Sequence, residues 1–308
     1  MLDVRRLRLL RELAHRGTIA AVAEALAFTP SAVSQQLAVL EREAGAALLE
    51  RTGRRVRLTP AGVALVGHAE AVLERLEQAA AELAAARTDL TGTVRIGAFP
   101  TATRAILPAA LAALDRDHPG LEPMVDEIDP AEVAPRLRAG DLDVALVHEY
   151  DFVPAAPDLA LDSRPLLEES MFLASPDEAG PPAERWDAYD GAGGDPLARW
   201  RDAPWIASTP GTLCHAMTVR ACQAAGFAPR IRHHVDDFAT VLAMVAIGQG
   251  VALVPELGAA DPPGGVRLVE LPMRRRTLIA FRRGSGDHPA IAAFVAALRS
   301  SAPTGRRA

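Results

Sequence analysis

Residues 18–40 read TIAAVAEALAFTPSAVSQQLAVL, and this stretch decides how the beginning of the chain folds. Thr18 is a good N-cap, and apolar residues then recur at helical spacing as far as Leu26. The period breaks before Thr29 and restarts at Pro30, because a threonine oxygen caps a helix and proline is tolerated at its first position. The stretch therefore predicts two short helices joined by a tight turn.

The second of these helices has two different faces. Val33, Leu37 and Leu40 form an apolar stripe, whereas the opposite face is small or hydrogen-bonding. Such a face suits a helix in a DNA major groove, although a helical hairpin with a solvated polar face has the same pattern. The candidate DNA-binding residues on this helix are Ser31, Ala32, Ser34, Gln35 and Arg42.

A basic stretch follows, and residues 41–62 read EREAGAALLERTGRRVRLTPAG. Val56 and Leu58 alternate with arginines, and Thr52-Gly53 supplies a turn, which predicts a two-stranded wing. Arginines on a wing lie over the sugar–phosphate backbone, where they contribute affinity rather than sequence choice. The candidate DNA-binding residues of the wing are Arg51, Arg54 and Arg55.

Together these features resemble the winged helix-turn-helix of the LysR-type transcriptional regulators. The resemblance covers Ala21 to Gly62 without gaps and rests on the AVSQQL core, the ERTGRRVRLT wing and the Thr-x-x-Gly start of the next helix. It departs at Pro30, where the family often has a glutamine, so one base-reading amide is missing. The resemblance implies a regulator whose partners are double-stranded DNA and a small-molecule effector.

Charge is unevenly distributed along the 308 residues. The net charge is −6, but residues 1–60 hold ten Arg against six Asp or Glu, a local +4 that leaves −10 for the remainder. A basic end on an acidic body fits a protein that meets DNA at one end. The chain has no lysine, which excludes Schiff-base, pyridoxal-phosphate and Walker-loop chemistry, and no cofactor is expected.

Cysteine usage and hydropathy bear on the compartment. Cys214 and Cys222 make no disulfide framework, which favours a reducing cytoplasm. The first residues are not followed by a long apolar run, and the most apolar window, Thr240 to Pro255, is short and interrupted by glycines. We therefore expect a cytoplasmic protein with no signal peptide and no membrane span.

Two further helices are predicted around the helix-turn-helix. The first, capped by Asp3, should bury Val4, Leu7, Leu10, Leu13 and Ala14 and leave Arg5, Arg6, Arg8 and Arg11 largely solvated. The other, from Pro60 to about Arg87, carries a heptad seam with Leu65, Ala69, Val72, Leu76, Ala79, Leu83, Ala86 and Leu90. A helix lying on its own domain can show such a seam. Its place between two domains favours dimerisation through Leu65, Val72, Leu76 and Leu83, giving a homodimer and, as a further expectation, a homotetramer.

Strands and helices alternate beyond Thr91-Gly92. Strands at 93–98 and 142–147 flank helices at 101–118 and 130–139, which predicts parallel pairing with right-handed crossovers. The pattern repeats, with strands at 171–174 and 277–281 among others. Two α/β lobes joined by two crossings resemble the LysR-type effector domain, itself similar to periplasmic solute-binding proteins. Residues 179–202, rich in Pro, Gly and Asp, are predicted to be a surface loop or cap.

The chain is thus predicted to have four parts. An all-α winged helix-turn-helix occupies residues 1–59, and a linker or dimerisation helix occupies 60–90. A two-lobed α/β effector-binding domain spans 91–300, and a disordered tail spans 301–308.

The effector site is expected at the carboxyl ends of the strands, where helix N-termini offer free N–H groups. Thr and Asp cap helices everywhere, so each residue there could be only a cap; as a set lining one cleft, they favour ligand contact. The candidates are Thr101, Thr103, Asp129, His148, Thr209, Thr212, Asp237 and Phe238. Acids on these loops (Asp129, Glu149, Asp236, Asp237), with Arg104 as the only arginine, favour an amine or neutral polar effector over a dianion.

No enzyme or metal-site signature is complete in this sequence. Asp141-Leu142-Asp143 matches a routine loop-to-strand junction of the family, and the Cys and His residues between 214 and 234 lack paired zinc-ligand spacing. Gly284-Ser285-Gly286 lacks the outer spacing of a nucleophile elbow. We expect no catalytic residue and no metal. The rival hypothesis is an enzyme or solute carrier using the α/β body, which predicts a chain that binds no duplex or turns over a substrate.

Overall fold

The structure, a computed structural model, describes residues 1–52, 55–87, 89–154, 157–177 and 195–302, with the backbone alone at residues 51, 52 and 55. Helices α1 (Val4–Arg16), α2 (Ile19–Ala25) and α3 (Pro30–Ala44) precede the antiparallel strands β1 (Leu49–Thr52) and β2 (Arg55–Leu58). We call α1 to β2 the N-terminal unit. Thr18 and Thr29 cap α2 and α3, as predicted.

The arginine face of α1 differs from the prediction. Leu7, Leu10 and Leu13 enter the core of the N-terminal unit, whereas Val4 and Ala14 stay exposed. Arg11, predicted to be solvated, is buried because it lies between Glu12 of its own helix and Glu70 of the next long helix.

The long helix α4 (Pro60–Ala85) begins at the Thr59 cap. At its start, Ala69 is buried and Leu65 half-buried against the core of the N-terminal unit. Farther along, Val72, Leu76 and Leu83 are 39%, 48% and 74% exposed. The seam therefore divides into a part used within the chain and a part that faces outward.

Six strands of the remaining chain form one sheet in the order β4-β3-β5-β10-β6-β9. Its strands are β3 (Gly92–Ala98), β4 (Leu121–Glu127), β5 (Val144–Tyr150), β6 (Leu161–Pro176), β9 (Ala252–Pro255) and β10 (Val266–Arg282). β3 is parallel to β4 and β5, as predicted, while β10 is antiparallel to β5 and β6. The parallel pair β7 (Pro204–Ala207) and β8 (Arg230–His234) is joined to this sheet by a bridge between Trp205 and Val251.

Helices cover both faces: α5 (Pro100–Ala105), α6 (Leu107–Asp117), α7 (Pro130–Ala139), α8 (Leu213–Ala224), α9 (Phe238–Ala246) and α10 (Pro289–Ser301). The helix predicted at 101–118 is two helices that meet at Ile106, because Pro108 has no N–H to continue the first. Helix α10 includes Ser301, the first residue of the tail predicted to be disordered, and residues 303–308 of that tail lie outside the described chain.

The sheet divides into two lobes. Lobe I contains β3 to β5, α5 to α7, the end of β10 and α10; lobe II contains β7 to β9, α8, α9 and the start of β10. The long strands β6 and β10 pair along their whole length and cross between the lobes, so the strands predicted at 171–174 and 277–281 are fragments of them.

The predicted surface loop at 179–202 is only partly described. Residues 178–194, with Trp186 and Tyr189, lie outside the described chain. Beyond them, Leu197 is buried in the core of lobe II, so residues 195–202 are anchored to that lobe rather than forming a free loop.

Candidate functional site

Helix α3 buries one face and presents the other. Val33, Leu37 and Leu40 are buried in the N-terminal unit. Ser31, Gln35 and Arg42 are exposed, while Ala32 and Ser34 are half-buried beside them. The five candidates on this helix therefore lie on its outward side. Ser31 Oγ is 3.1 Å from Thr29 Oγ1, so its hydroxyl is also near the helix cap.

Strands β1 and β2 form the predicted two-stranded wing, which follows this helix in the chain. Arg51 lies opposite Val56, and Thr52 opposite Arg55. Arg54 lies outside the described residues, and the side chains of Arg51 and Arg55 are not described.

A cleft of about 750 Å³ lies between the two lobes. Lobe I contributes loops that follow β3 and β4, lobe II contributes loops that follow β7 and β8, and Arg275 enters from the crossing strand β10. The carboxyl ends of these strands meet here, as the topology requires. Seven of the eight predicted effector residues line the cleft: Thr101, Asp129, His148, Thr209, Thr212, Asp237 and Phe238.

Thr103 does not line the cleft. Its hydroxyl donates to the carbonyl of Phe99, the residue that precedes α5, at 3.2 Å. Glu149, predicted on a cleft loop, also lies elsewhere, because β5 continues through it and alternation turns it away from His148.

Several polar groups that line the cleft also form helix caps and turns. Thr212 caps α8 through the N–H of His215, and its hydroxyl donates to the carbonyl of Thr209 at 2.9 Å. Thr209 donates through both its N–H and its hydroxyl to Asp236, at 2.8 and 2.7 Å. These threonines therefore fix the cleft wall, while their hydroxyl protons are already used within the fold.

Five carboxylates line the cleft: Glu127, Asp129, Glu132, Asp236 and Asp237. Asp129 caps α7 through the N–H of Ala131 at 2.8 Å. Asp237 caps α9, and the hydrogen bonds it accepts from the Thr240 hydroxyl and N–H hold its pKa below the usual range. The low pKa keeps Asp237 charged at neutral pH, and the five carboxyl side chains together make this wall acidic.

Arg275 is the most deeply buried of the cleft residues that sequence reasoning missed, which also include Glu127, Glu132 and Cys214. Its side chain is 1% exposed, and Nε donates to Glu169 Oε1 at 2.7 Å while Nη2 donates to Thr101 Oγ1 at 3.0 Å. The guanidinium also lies 5.1 Å from the ring centre of Phe99. Glu169 balances its charge, so Arg275 adds little net positive charge to the cleft.

The cleft floor is a desolvated cluster. Burial, together with the positive charge of Arg275, holds the pKa of His148 well below its usual range, so the imidazole is neutral at pH 7. Cys214 Sγ lies 3.1 Å from the hydroxyl of Tyr150 and 3.8 Å from Nε2 of His148. Burial raises the pKa of the Cys214 thiol, which is therefore protonated at neutral pH.

The described residues also bear on metal binding and on membrane spanning. No three His, Cys, Asp or Glu side chains among them are grouped so that they could hold a metal ion. In the same part of the chain, no helix combines the length and the apolarity needed to cross a membrane.

Comparison with known proteins gives matches at both ends of the chain. The model described as "Bacterial regulatory helix-turn-helix protein, lysR family" matches residues 4–63, and "LysR substrate binding domain" matches residues 87–303. The "Probable hydrogen peroxide-inducible genes activator" of Mycobacterium avium is 30% identical over 287 residues, which cover 91% of this chain and 88% of that protein.

Two further relatives agree with these matches. The "Transcriptional dual regulator GltC" of Bacillus subtilis is 27% identical over 282 residues, covering 90% of this chain and 89% of that one. The solved structure of the "Corynebacterium glutamicum OxyR C206 mutant" has a TM-score of 0.54 at 25% identity, covering 98% of this chain and 92% of that one. These relatives are regulators and not enzymes. The chain belongs to the LysR family and is a transcriptional regulator with an N-terminal helix-turn-helix DNA-binding domain followed by an effector-binding domain.

Proposed function

We propose that α3 reads its operator through Ser31, Ala32, Ser34, Gln35 and Arg42. The observation that carries this proposal is the two-sided burial of α3, since its apolar stripe is occupied by the core and its polar side is left to a partner. A helix with this division can enter a major groove without disturbing its own domain. Arg51, Arg54 and Arg55 then contact phosphates of the DNA backbone. We assign them this role because they lie in the wing sequence.

The experiment is footprinting and affinity measurement on a duplex that carries the upstream region of this chain's own gene. Ser34→Ala with Gln35→Ala should weaken specific binding by about 1–3 kcal/mol for each base-reading side chain that is removed, with the melting temperature unchanged. Arg54→Ala should lower affinity on all sequences alike and reduce the salt slope by about one. An unchanged footprint in the first variant, or a weakening confined to one base pair in the second, would reject these roles.

The effector that suits the cleft carries an amine or neutral polar groups. Five carboxylates face Arg104 and Arg275 there, and Arg275 is already paired with Glu169. A dianion would meet unpaired carboxylates at a cost of several kcal/mol. The residues proposed to contact the effector are Thr101, Asp129, His148, Thr209, Thr212, Asp237 and Phe238.

Thermal-shift screening of amino compounds against dicarboxylates tests this class. Asp129→Asn should weaken the stabilisation by an amine, because asparagine still caps α7 but carries no charge. Asp117→Asn, an exposed acid of α6 outside the cleft, is the control and should change nothing. If dicarboxylates alone stabilise the protein, the cleft remains the effector site, but the preference for an amine or neutral effector is wrong.

Peroxide sensing, suggested by the printed name of the Mycobacterium avium relative, is not the function that the cysteines support. Burial raises the pKa of Cys214 and raises that of Cys222 to about 12. The thiolate is the form that reacts, so the raised pKa disfavours the reaction of either thiol with peroxide at neutral pH. DNA binding that hydrogen peroxide alters in wild type, but not in Cys214→Ser, would establish the opposite.

The outward part of the α4 seam is the proposed dimer contact. Val72, Leu76 and Leu83 are exposed, while Glu77 and Ala81 on the other side of α4 contact the body of the chain. A homodimer through this seam would present two copies of α3 to two half-sites, and pairing of dimers would give a homotetramer. Its DNA partner places the regulator in the cytoplasm. Effector binding then acts by shifting the population of lobe arrangements.

A further inference from the structure

Helix α7 has one end in the cleft and the other at the N-terminal unit. Its first residues, Asp129 to Glu132, line the cleft. Its last turn contains Arg138, which is buried against α1. At 1.5 Å per residue, its ten residues span about 15 Å between the two.

Arg138 contacts both the body and the N-terminal unit. Its guanidinium forms an ion pair with Asp158 of lobe I, and its Nε lies 3.6 Å from Oε1 of Glu12 in α1. In the reverse direction, Arg11 Nη2 donates to the backbone carbonyl of Arg138 at 3.1 Å. Arg11, Glu12 and Arg138 are all buried, so this contact excludes water.

A second arginine holds the same end of α7. Nη1 of Arg282 donates to the carbonyl of Leu137 at 3.2 Å, and its Nε donates to Glu77 of α4 at 2.8 Å. The last carbonyls of a helix lack intrahelical donors and carry partial negative charge. Two guanidinium groups, one from α1 and one tied to α4, therefore bind the C-terminal end of α7.

Pro135 lies inside α7 and offers no N–H to the carbonyl of Ala131, so packing rather than an unbroken hydrogen-bond ladder makes the helix move as one piece between these ends. Val133 and Leu137 are buried against the sheet of lobe I, beside Leu142 and Ala145. A shift of the cleft end must either deform this core or displace the far end, and packed cores do not deform continuously.

We infer that α7 couples the cleft to the N-terminal unit and that Arg138 is the positioning residue of this coupling. The inference rests on the proposed function of the cleft and deepens it, because it states how effector binding in the cleft is transmitted to α1 within a single chain. Loss of the Arg138 side chain removes its contacts with Asp158 and Glu12 and should weaken the coupling of the two ends without removing either site, because only the backbone contacts of Arg11 and Arg282 remain.

The test places a bulky side chain in the cleft instead of an effector. Ala131→Trp fills space at the cleft end of α7, where Ala131 is exposed. It is made in wild type, in Arg138→Met and in Arg136→Met. Arg136 is the matched control, because it lies on the same helix but pairs with Asp126 inside lobe I. The readouts are affinity for the upstream duplex and hydrogen exchange of the α1 amides without DNA.

We expect Ala131→Trp to change the affinity on the order of fivefold or more in wild type and in Arg136→Met, and by less than about twofold in Arg138→Met. The exchange of α1 amides should follow the same pattern. Equal changes in all three backgrounds, or no change in wild type, would overturn the coupling. If wild type binds no duplex, the proposed operator reading fails, and the exchange measurement still decides the coupling.

Discussion

At the residue scale, the run Arg274-Arg275-Arg276 shows how one strand gives identical side chains different roles. Period-two alternation turns the middle arginine into the protein, with its side chain 1% exposed, while its neighbours are 28% and 38% exposed. Without knowledge of the strand register, a run of three arginines predicts a solvated segment. Arg275 could not be assigned to the cleft from the sequence for that reason.

Removing Arg275 should cost far more stability than removing its neighbour. Arg275→Met leaves Glu169 buried without its cation, and we expect a decrease of about 3–5 kcal/mol in the free energy of unfolding. Arg276→Met breaks only the partly exposed pairs with Asp151 and Glu168 and should cost about 0–1 kcal/mol. Urea denaturation of both variants measures the difference. Similar decreases would mean that the Arg275–Glu169 pair is no more important than a surface pair.

His148 should make stability depend on pH. Its folded pKa lies well below its unfolded value, so the unfolded state binds more protons as the pH falls below about 6.5. The stabilising contribution is complete above that pH and declines progressively as the pH falls toward the folded pKa. His148→Gln should flatten the dependence of the melting temperature between about pH 6.5 and 5, whereas the exposed His68→Gln should leave it unchanged. A wild-type slope retained by His148→Gln would assign the titration to another group.

At the element scale, local signals predicted the N-terminal unit well and the crossing strands poorly. Thr18, Thr29 and Pro30 mark where helices begin through contacts within three residues, so the cause of these helix starts is local in the sequence. The extent of β6 and β10 depends on their pairing with each other across 100 residues or so, between Leu161 and Arg282 for example. The cleft loops could be located because strand ends share an edge, but Thr103 and Glu149 depended on side-chain direction.

The start of α4 depends on Gly62. A Cβ there would clash with the carbonyl of Leu48, which is why the Thr-x-x-Gly sequence of this helix start has a glycine. Gly62→Ala should destabilise the N-terminal unit by about 1–3 kcal/mol. Gly67→Ala in the same helix meets nothing within 4 Å and should stabilise it by about 0.5–1 kcal/mol. Thermal unfolding of the two variants should therefore shift in opposite directions; shifts of the same sign would rule out the steric explanation.

At the scale of the whole molecule, α4 lies between its own chain and the proposed partner. One side contacts the body through Glu77 and Arg282, and the other side carries Leu76 and Leu83. A monomer would leave these leucines in water, which is the reason to expect a second chain there.

Leu76→Asp should dissociate the proposed dimer. A carboxylate placed against the partner's seam carries an unpaired-charge penalty of several kcal/mol. Ala71→Asp introduces the same charge at an exposed position off the seam and should leave the association unchanged. Sedimentation velocity over a range of concentrations compares the two. An intact dimer in Leu76→Asp would locate the main contact elsewhere.

The two crossings also fix the order in which the molecule can be completed during synthesis. Ile279, Phe281, Phe294 and Leu298 share a core with Ile96 and Leu146, which precede them in synthesis by well over a hundred residues. During synthesis, one edge of β5 in lobe I therefore stays unpaired until β10 has left the ribosome. An unpaired strand edge promotes aggregation. Chains released before residue 282 should be digested throughout lobe I in a pulse-proteolysis assay, whereas protection there would show that the lobe closes without its last strand. A stop codon ahead of residue 282 would thus remove the first lobe of the protein and not only the segment that follows the stop.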